Sequence, residues 1–286
     1  RSYIDLLKLW WKLKDQKVLF LLLLAVLAIA SFLRFYKLSE YMTFLGDEGR
    51  DAIVIKNMLV NYDLQFIGPP TYVGNIYLGP LYYYMMATSM FIFWLNPVAA
   101  AGMAAGVGVL TVLLIYYLGK LWFGRVAGLI SAYLYAISPV TIIYSKSSWN
   151  PNPTPFFALL AIFGLYKIHK SGNFLWLILL GFALAAGLQM HYLAVILIPI
   201  AFILLIYKKK LIKNLLPGTI LGVLTFLLVM SPLLLFDLKH DFLNYKAITA
   251  LLTQGNSVQV NIFSNITRIP SLYSYNLIGR YMVAEN

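Results

Sequence analysis

The sequence predicts an all-α integral membrane protein, and three observations lead to this fold class. Of the 286 residues, 61% are hydrophobic and 11% are charged, whereas a soluble domain of this length carries about 25% charged residues. The mean hydropathy is +0.79. Eight apolar runs approach the roughly 20 residues that a membrane-spanning helix needs. They cover 18–36, 78–95, 98–118, 126–144, 155–168, 174–189, 192–207 and 215–236.

The remaining composition narrows the function classes. The net charge of +12 does not indicate nucleic-acid binding, because no basic stretch is interleaved with exposed aromatics on a soluble module. Lys and Arg instead cluster in short loops between the apolar runs, as the positive-inside rule expects. The chain has no cysteine, which excludes disulfides and thiolate metal sites.

The positions of the charges predict which runs cross the cell membrane. With Lys8 and its neighbouring lysines placed in the cytoplasm, the basic loops all become cytoplasmic only if run 78–95 does not cross. The acids from Glu40 to Asp63, and also Asp237 and Asp241, then lie outside. We therefore predict a multi-pass protein with seven spans, in which 78–95 lies at the outer interface or re-enters the membrane. The basic loops that align are 120–125, 167–170 and 208–213.

This topology divides the chain into three parts. Residues 1–17 form a cytoplasmic amphipathic segment, and residues 18–236 form the transmembrane module. The large first external loop, 37–95, carries juxtamembrane helices, because Pro80 and the three tyrosines that follow it suit a helix at headgroup level. Residues 237–286 form an external segment, which we expect to be the start of a longer C-terminal part.

The densest charge cluster, GDEGRDA at 46–52, directly follows the first run. We expect a helix from near Asp47 to about Asn61. Acids at a helix N-terminus are stabilising for dipole reasons alone, so a structural role is one interpretation. The other interpretation is a carboxylate held at the membrane surface as a general base or a metal ligand.

Three further features carry polar side chains on the predicted external face. Lys146, within YSKSSWNPNP at 144–153, is a lone cation there that could meet a phosphate, although the prolines alone predict a turn. His191, at the next external turn, is either an interfacial residue or a ligand or metal contact. Asp237 and His240 follow the last run, where solvated loop charges are the default interpretation.

The order of these features resembles that of the GT-C fold glycosyltransferases, in particular the protein O-mannosyltransferase-like group that uses lipid carriers. The resemblance covers roughly residues 19–252 and rests on the order of the motifs rather than on any one of them. The matching segments are the acidic pair Asp47-Glu48, the Pro/Tyr segment from Pro80, KLWFGR at 120–125, SKSSWNPN at 145–152, LQMHYL at 188–193 and SPLLLFDLKH at 231–240.

The resemblance implies a GT-C-type module of about seven transmembrane helices. It also implies transfer of a sugar, with inversion, from a polyprenyl-phosphate donor to an acceptor hydroxyl on the external face. Asp47 matches the family's catalytic acid, which acts as general base, and Glu48 matches the second acid. Lys146 stands where we expect Arg in the family, so it offers a phosphate a point charge instead of a bidentate grip. The remaining candidates for binding substrate or phosphate are Arg50, Asn150, Tyr82, His191, Asp237 and His240.

No cofactor is certain from the sequence, and a divalent metal is left open, with Asp47, Glu48 and His191 as its candidate ligands. The expected partners are the polyprenyl-phosphate sugar donor, an acceptor protein, lipid or glycan, and membrane lipids. A transporter is the competing class, but the runs hold almost no charge, with Arg34 at the end of the first run. A non-catalytic membrane lipid-binding subunit is a third interpretation.

Overall fold

The structure is a computed structural model that describes residues 16–71, 76–207 and 209–253, together with 268, 270, 271 and 275. Within these residues all regular secondary structure is helical, and β pairing is confined to two isolated bridges. The all-α membrane class is therefore confirmed. The predicted amphipathic segment lies almost entirely outside the described residues, as does most of the predicted C-terminal segment beyond 253.

Most of the described helices follow one another with short connections, and the longest connection joins Val60 to Leu81. We label the α-helices α1 to α12 and name the single 3-10 helix by its range. They are α1 Gln16–Phe35, α2 Leu38–Tyr41, α3 Gly46–Val60, α4 Leu81–Ile92, α5 Pro97–Phe123, α6 Arg125–Ile137, α7 Pro139–Ser145, α8 Thr154–Ser171, α9 Trp176–Met190, the 3-10 helix Tyr192–Ile196, α10 Leu197–Tyr207, α11 Lys209–Lys239 and α12 Leu243–Thr253.

Three helices in the described part of the chain are long and apolar enough to cross a membrane. They are α1, α5 and the Leu216–Lys239 part of α11. A fourth span results if α6 and α7, which are bent by 62° at their junction, count as one broken span. Helix α9 and the segment Tyr192–Tyr207 are apolar but shorter. The count of seven spans stays a prediction.

The predicted span 126–144 consists of two helices, because the helix breaks between Ile137 and Pro139. Proline lacks the backbone N–H that would continue the helix, and its ring collides with the preceding turn. The break leaves carbonyl groups at the end of α6 without helical partners. The Arg34 guanidinium supplies the missing donors. It donates hydrogen bonds to the carbonyls of Tyr135 and Ala136 at 3.4 and 3.0 Å.

Small residues allow the long helices to pack with their backbones nearly in contact. Helices α5 and α6 meet at Gly119 and Gly128, where a Cβ on Gly119 would lie 2.7 Å from the Gly128 Cα. Helix α9 meets α11 in the same way through Gly181 and Gly222. Close approach at small residues is a general device for associating helices in lipid, where no hydrophobic effect drives them together.

Helices α3 and α4 form a pair that packs on this bundle through one buried cluster. Ile55 and Met58 of α3 and Tyr82 and Met86 of α4 lie in it. Helix α4 has 12 residues, which at 1.5 Å per residue is about 18 Å, too short for the roughly 30 Å hydrocarbon core. Its length is therefore consistent with the prediction that run 78–95 does not cross.

The start of α4 is held by the buried side chain of Gln189, at the end of α9. The Gln189 Oε1 accepts a hydrogen bond from the Leu81 N–H at 3.0 Å, and its Nε2 donates to the Val229 carbonyl of α11 at 2.8 Å. One amide therefore joins three helices. Gly79 leaves the space for it, because a Cβ at that position would overlap the Gln189 side chain.

Candidate functional site

A cleft of about 400 Å³ opens at the N-terminus of α3. One wall is the chain from Thr43 to Glu48, and the other contains Tyr144, Ser147 and Trp149 from the end of α7 and the turn after it. An isolated parallel bridge between Thr43 and Ser147 joins the two walls. The GDEGRDA segment and the SKSSWN segment, about 100 residues apart in sequence, are therefore brought together at one site.

Glu48 fixes the joint between these two segments. It is 5% exposed, and its Oε1 accepts a hydrogen bond from the Ser147 hydroxyl at 2.7 Å. Its Oε2 accepts one from the Leu45 backbone N–H at 3.1 Å, the contact by which an acid in the first turn caps its own helix. Both carboxylate oxygens thus have donors within the protein, and this residue orders the cleft.

Asp47 is the more accessible of the paired acids. Its side chain is 31% exposed and lines the cleft. Its Oδ1 accepts a hydrogen bond from Nη1 of Arg50 at 2.8 Å, across one helical turn. The first turn of a helix also favours a negative charge electrostatically. The helix itself runs over Gly46–Val60, which confirms the predicted helix to within a residue at each end.

Asp51 was not among the predicted site residues, yet it is the most deeply buried acid of the segment. Its carboxylate is fully buried and accepts hydrogen bonds at Oδ1 from Nε of Arg50 at 2.9 Å and from the Tyr83 hydroxyl at 3.2 Å. Burial raises the pKa of Asp51 to about 6, although Arg50 and Tyr83 oppose this effect. Its Oδ2 has no hydrogen-bond partner among the described residues.

Lys146 and Asn150 lie close to the cleft but are engaged by the protein itself. The Lys146 ammonium donates to the Tyr36 carbonyl at 3.1 Å and lies 5.0 Å from the centre of the Tyr41 ring. The buried Asn150 amide donates to the Met190 carbonyl at 2.7 Å. These contacts join the turn after α7 to α1 and α9, and a role of either residue toward substrate stays a prediction.

The remaining predicted site residues are also bound within the fold. The His191 Nδ1 accepts a hydrogen bond from the Leu193 N–H at 3.2 Å, and burial lowers the pKa of this imidazole. Asp237 accepts from the Asn244 N–H at 2.6 Å, which caps α12. His240 stacks on Phe236 with 4.0 Å between ring centres.

Tyr82 does not line the cleft but is fully buried in the α3–α4 cluster. Burial raises its pKa well above the ordinary value, and its hydroxyl has no hydrogen-bond partner among the described residues. In the same part of the chain, no group of three or more His, Asp or Glu side chains is placed to hold a metal ion. Asp47, Glu48 and His191 are therefore not gathered into such a group.

Arg34 is the second residue whose role the sequence did not reveal. It is fully buried, and besides the two carbonyls at the end of α6 it donates to the Thr141 and Ser145 hydroxyls at 3.1 and 3.2 Å. All of these acceptors are neutral. The only signal in the sequence is a charge at the end of an apolar run, which is also typical of an interfacial arginine.

The fold and the cleft at the end of the first long helix define a membrane protein of the GT-C class. The structure is similar to the crystal structure of ArnT from Cupriavidus metallidurans bound to undecaprenyl phosphate, with a TM-score of 0.58 and 16% sequence identity. The match covers 81% of this chain and 44% of that chain.

The family model described as dolichyl-phosphate-mannose-protein mannosyltransferase matches residues 78–236, and the chain belongs to this family. It is also 26% identical over 193 residues to YkcB of Bacillus subtilis (strain 168), whose name provisionally assigns it as a mannosyltransferase. That match covers 67% of this chain and 26% of YkcB, so the chain spans about a quarter of its relative. Asp47 to Asp51 precede the residues that the family model matches.

Proposed function

We propose that the protein transfers a sugar from a polyprenyl-phosphate-linked donor to an acceptor hydroxyl on the non-cytoplasmic face of the membrane. The observation that carries this proposal is the partly exposed Asp47 carboxylate, which lines a cleft of about 400 Å³ at the end of the first long helix. A polyprenyl chain stays in the bilayer while its phosphate lies at the interface. Asp47 lies in the first turn of α3, in the loop that follows the first span, so we place it within reach of a sugar on that phosphate.

The geometry supports an inverting displacement with Asp47 as the general base. Asp47 accepts the proton of the acceptor hydroxyl while that oxygen attacks the anomeric carbon. The bond from the anomeric carbon to the phosphate oxygen breaks, and the polyprenyl phosphate leaves with the electron pair. Attack on the face opposite the phosphate inverts the anomeric configuration.

The leaving phosphate gains negative charge, which nearby cations stabilise. Arg50 lies next to Asp47, and its side chain is 37% exposed. Lys146 donates to one carbonyl, and an ammonium carries three N–H donors, so we assign it a phosphate contact as well. His191 is the third candidate, as a neutral N–H donor to the phosphate rather than as a cation, because burial lowers the pKa of its imidazole.

The comparisons support the type of donor. The family description names dolichyl-phosphate-mannose as the family's donor, and the ArnT structure holds undecaprenyl phosphate. Both molecules contain a polyprenyl phosphate, and we extend this class of lipid carrier to the donor of this chain. The sugar is a hexose or a pentose.

The decisive experiment is the Asp47→Asn substitution, assayed with a panel of polyprenyl-phosphate hexoses and pentoses. Loss of a general base lowers the rate by about 10²- to 10⁴-fold, and we expect donor binding to remain. Glu40→Gln is the matched control, because Glu40 is an exposed acid whose partner is Lys37. Turnover by Asp47→Asn at the wild-type rate would contradict the assignment, and wild-type protein that binds polyprenyl phosphate without transferring sugar would indicate a lipid-binding subunit instead.

A further inference from the structure

Arg50 binds two carboxylates that differ in exposure. Its Nη1 lies 2.8 Å from Oδ1 of Asp47, whose side chain is 31% exposed. Its Nη2 lies 2.7 Å from Oδ1 of Asp51, whose side chain is 1% exposed, and its Nε lies 2.9 Å from the same oxygen. One guanidinium thus connects the cleft to a carboxylate inside the protein.

The buried end of this connection is the fixed end. Asp51 is held between α3 and α4, since the Tyr83 hydroxyl donates to the same Oδ1 at 3.2 Å. A guanidinium is planar and presents its N–H groups in a rigid fork. When the Nε and Nη2 edge is bound to Asp51, the direction of Nη1 toward Asp47 is therefore set by the protein and not by solvent.

We propose that Asp51 is a positioning residue that binds one edge of the Arg50 guanidinium and partly neutralises its charge. The guanidinium then orients Asp47, while its attraction for the Asp47 carboxylate is weaker than that of an unpaired arginine. Among the described residues, the carboxylates within ion-pair distance of Arg50 are those of Asp47 and Asp51. If Asp51 carries no charge, the full attraction of Arg50 acts on Asp47. The inference rests on the proposed function, in which Asp47 accepts a proton.

Protonation of Asp51 removes its negative charge and should therefore increase the attraction of Arg50 for Asp47. The charged and titratable groups that act on its carboxyl are Arg50 and Asp47 on α3 and Tyr82 and Tyr83 on α4. Burial raises the pKa of Asp51 to about 6, so the residue is ionised above that pH and neutral below it. Above pH 6 it shares Arg50 with Asp47, and below pH 6 it releases Arg50 to Asp47 and the transfer rate falls.

The test is the pH profile of sugar transfer by the full chain in lipid nanodiscs. For the wild-type protein we expect kcat to fall as the pH decreases through about 6. Asp51→Asn keeps the shape of the side chain and removes its charge. It should lower kcat at pH 7.5 by about 10- to 100-fold, the scale of a small misplacement of a reacting group, with little change in KM, and its profile should lack the fall near pH 6.

A second variant distinguishes this role from a purely structural one. Tyr83→Phe removes a hydrogen bond that lowers the pKa of Asp51, so the fall in kcat should move to higher pH while the charges all remain. Glu40→Gln, the exposed control, should keep the wild-type profile. A wild-type pH profile for folded Asp51→Asn overturns the inference. If Asp51→Asn does not fold, an unmoved pH profile for Tyr83→Phe overturns it instead. A wild-type protein that transfers no sugar overturns the proposed function and this inference with it.

Discussion

The two buried or partly buried arginines of the described chain, Arg34 and Arg50, use their charge in opposite ways. Arg34 lies at the end of α1, is fully buried and donates only to carbonyls and hydroxyls. Arg50 lies in the first turns of α3, is 37% exposed at its side chain and binds two carboxylates. The first arginine has no carboxylate partner among the described residues, and the second has two.

The difference shows how the surroundings of an arginine decide what it can do. Neutral acceptors do not titrate, so the Arg34 contacts hold the break between α6 and α7 at every pH in the ordinary range. Carboxylates do titrate, and burial has moved the pKa of Asp51 toward neutrality. The Arg50 contacts therefore respond to protons, which suits a catalytic cleft, whereas the Arg34 contacts suit a fixed support at the break between α6 and α7.

The largest effect should follow from Arg34→Met. This change takes the Arg34 donors away from the Ala136 carbonyl and from the Thr141 and Ser145 hydroxyls, whereas the Tyr135 carbonyl still accepts from the Thr141 hydroxyl. Each unsatisfied buried group costs about 1–3 kcal/mol. We expect a loss of about 2–4 kcal/mol in stability, measured as a lower midpoint of thermal unfolding in detergent micelles, with the same loss at pH 5 and pH 8. Leu21→Ala on the same helix, at a side chain that is 63% exposed, is the control. An unchanged midpoint for Arg34→Met would contradict the inference that Arg34 stabilises the break between α6 and α7.

The next effect concerns the pH dependence of stability. The pKa of Asp51 is about 6 in the folded protein against an ordinary value of 3.8, so the folded chain binds more protons than the unfolded chain between these values. The stability contributed by this group is therefore complete below pH 4 and is lost as the pH rises through 6. The loss is about 3 kcal/mol. Asp51→Asn should flatten unfolding midpoints recorded from pH 4 to 7; a slope identical to wild type would argue against this origin.

A smaller effect is expected for Ser147→Ala. The substitution removes the 2.7 Å hydrogen bond to Glu48, which joins the two walls of the cleft. Loss of one donor to a buried carboxylate costs about 1–2 kcal/mol, and the transfer rate should fall several-fold. Ser171→Ala is the matched control, because that exposed hydroxyl makes only local contacts, donating to the Lys167 carbonyl of its own helix and accepting from the Asn173 N–H. Equal behaviour of the two variants would mean that Glu48 does not order the cleft.

The smallest effect is expected for Glu40→Gln. Lys37 and Glu40 are 2.9 Å apart, with side chains that are 44% and 58% exposed. Exposed pairs contribute about 0.5 kcal/mol or less once solvent screening is included. The midpoint of thermal unfolding and the transfer rate should both stay at the wild-type values. Added salt should change these two quantities equally in the wild-type protein and in Glu40→Gln. A loss above about 1 kcal/mol would show that this pair is coupled to the cleft.

The sequence predicted the features that depend on local patterns. The α3 helix was predicted because a glycine, two acids and an apolar stripe follow each other in order, and the structure places it over Gly46–Val60. The GT-C-type fold was predicted from the order of the apolar runs and motifs. The break of the helix at Pro139 could also have been predicted, since proline inside an apolar run is a local signal. The prediction of one span over 126–144 used hydropathy alone.

The features that the sequence did not predict depend on contacts between distant segments. Arg34 reads as an interfacial residue until α6 and α7 are seen to surround it. Asp51 reads as one more acid of a helix N-terminus until Tyr83 of α4 covers it. The bond from the Asn150 amide to the Met190 carbonyl was likewise not foreseen, and a contact of Asn150 with substrate stays a prediction. Periodicity and charge give no information on which helix lies opposite a side chain.

The joint between the chain at 36–48 and the turn at 146–147 limits how the protein can be recombined with its relatives. Four contacts cross it: Lys146 to the Tyr36 carbonyl, Lys146 to the Tyr41 ring, Ser147 to Glu48, and the backbone bridge from Thr43 to Ser147. In a chimera that takes only one of the two segments from a relative, the Ser147–Glu48 hydrogen bond and the Lys146–Tyr41 contact would form only if the relative carries matching side chains, whereas the backbone bridge does not depend on them. The two segments, though about 100 residues apart, should therefore be taken from the same parent protein in any chimera.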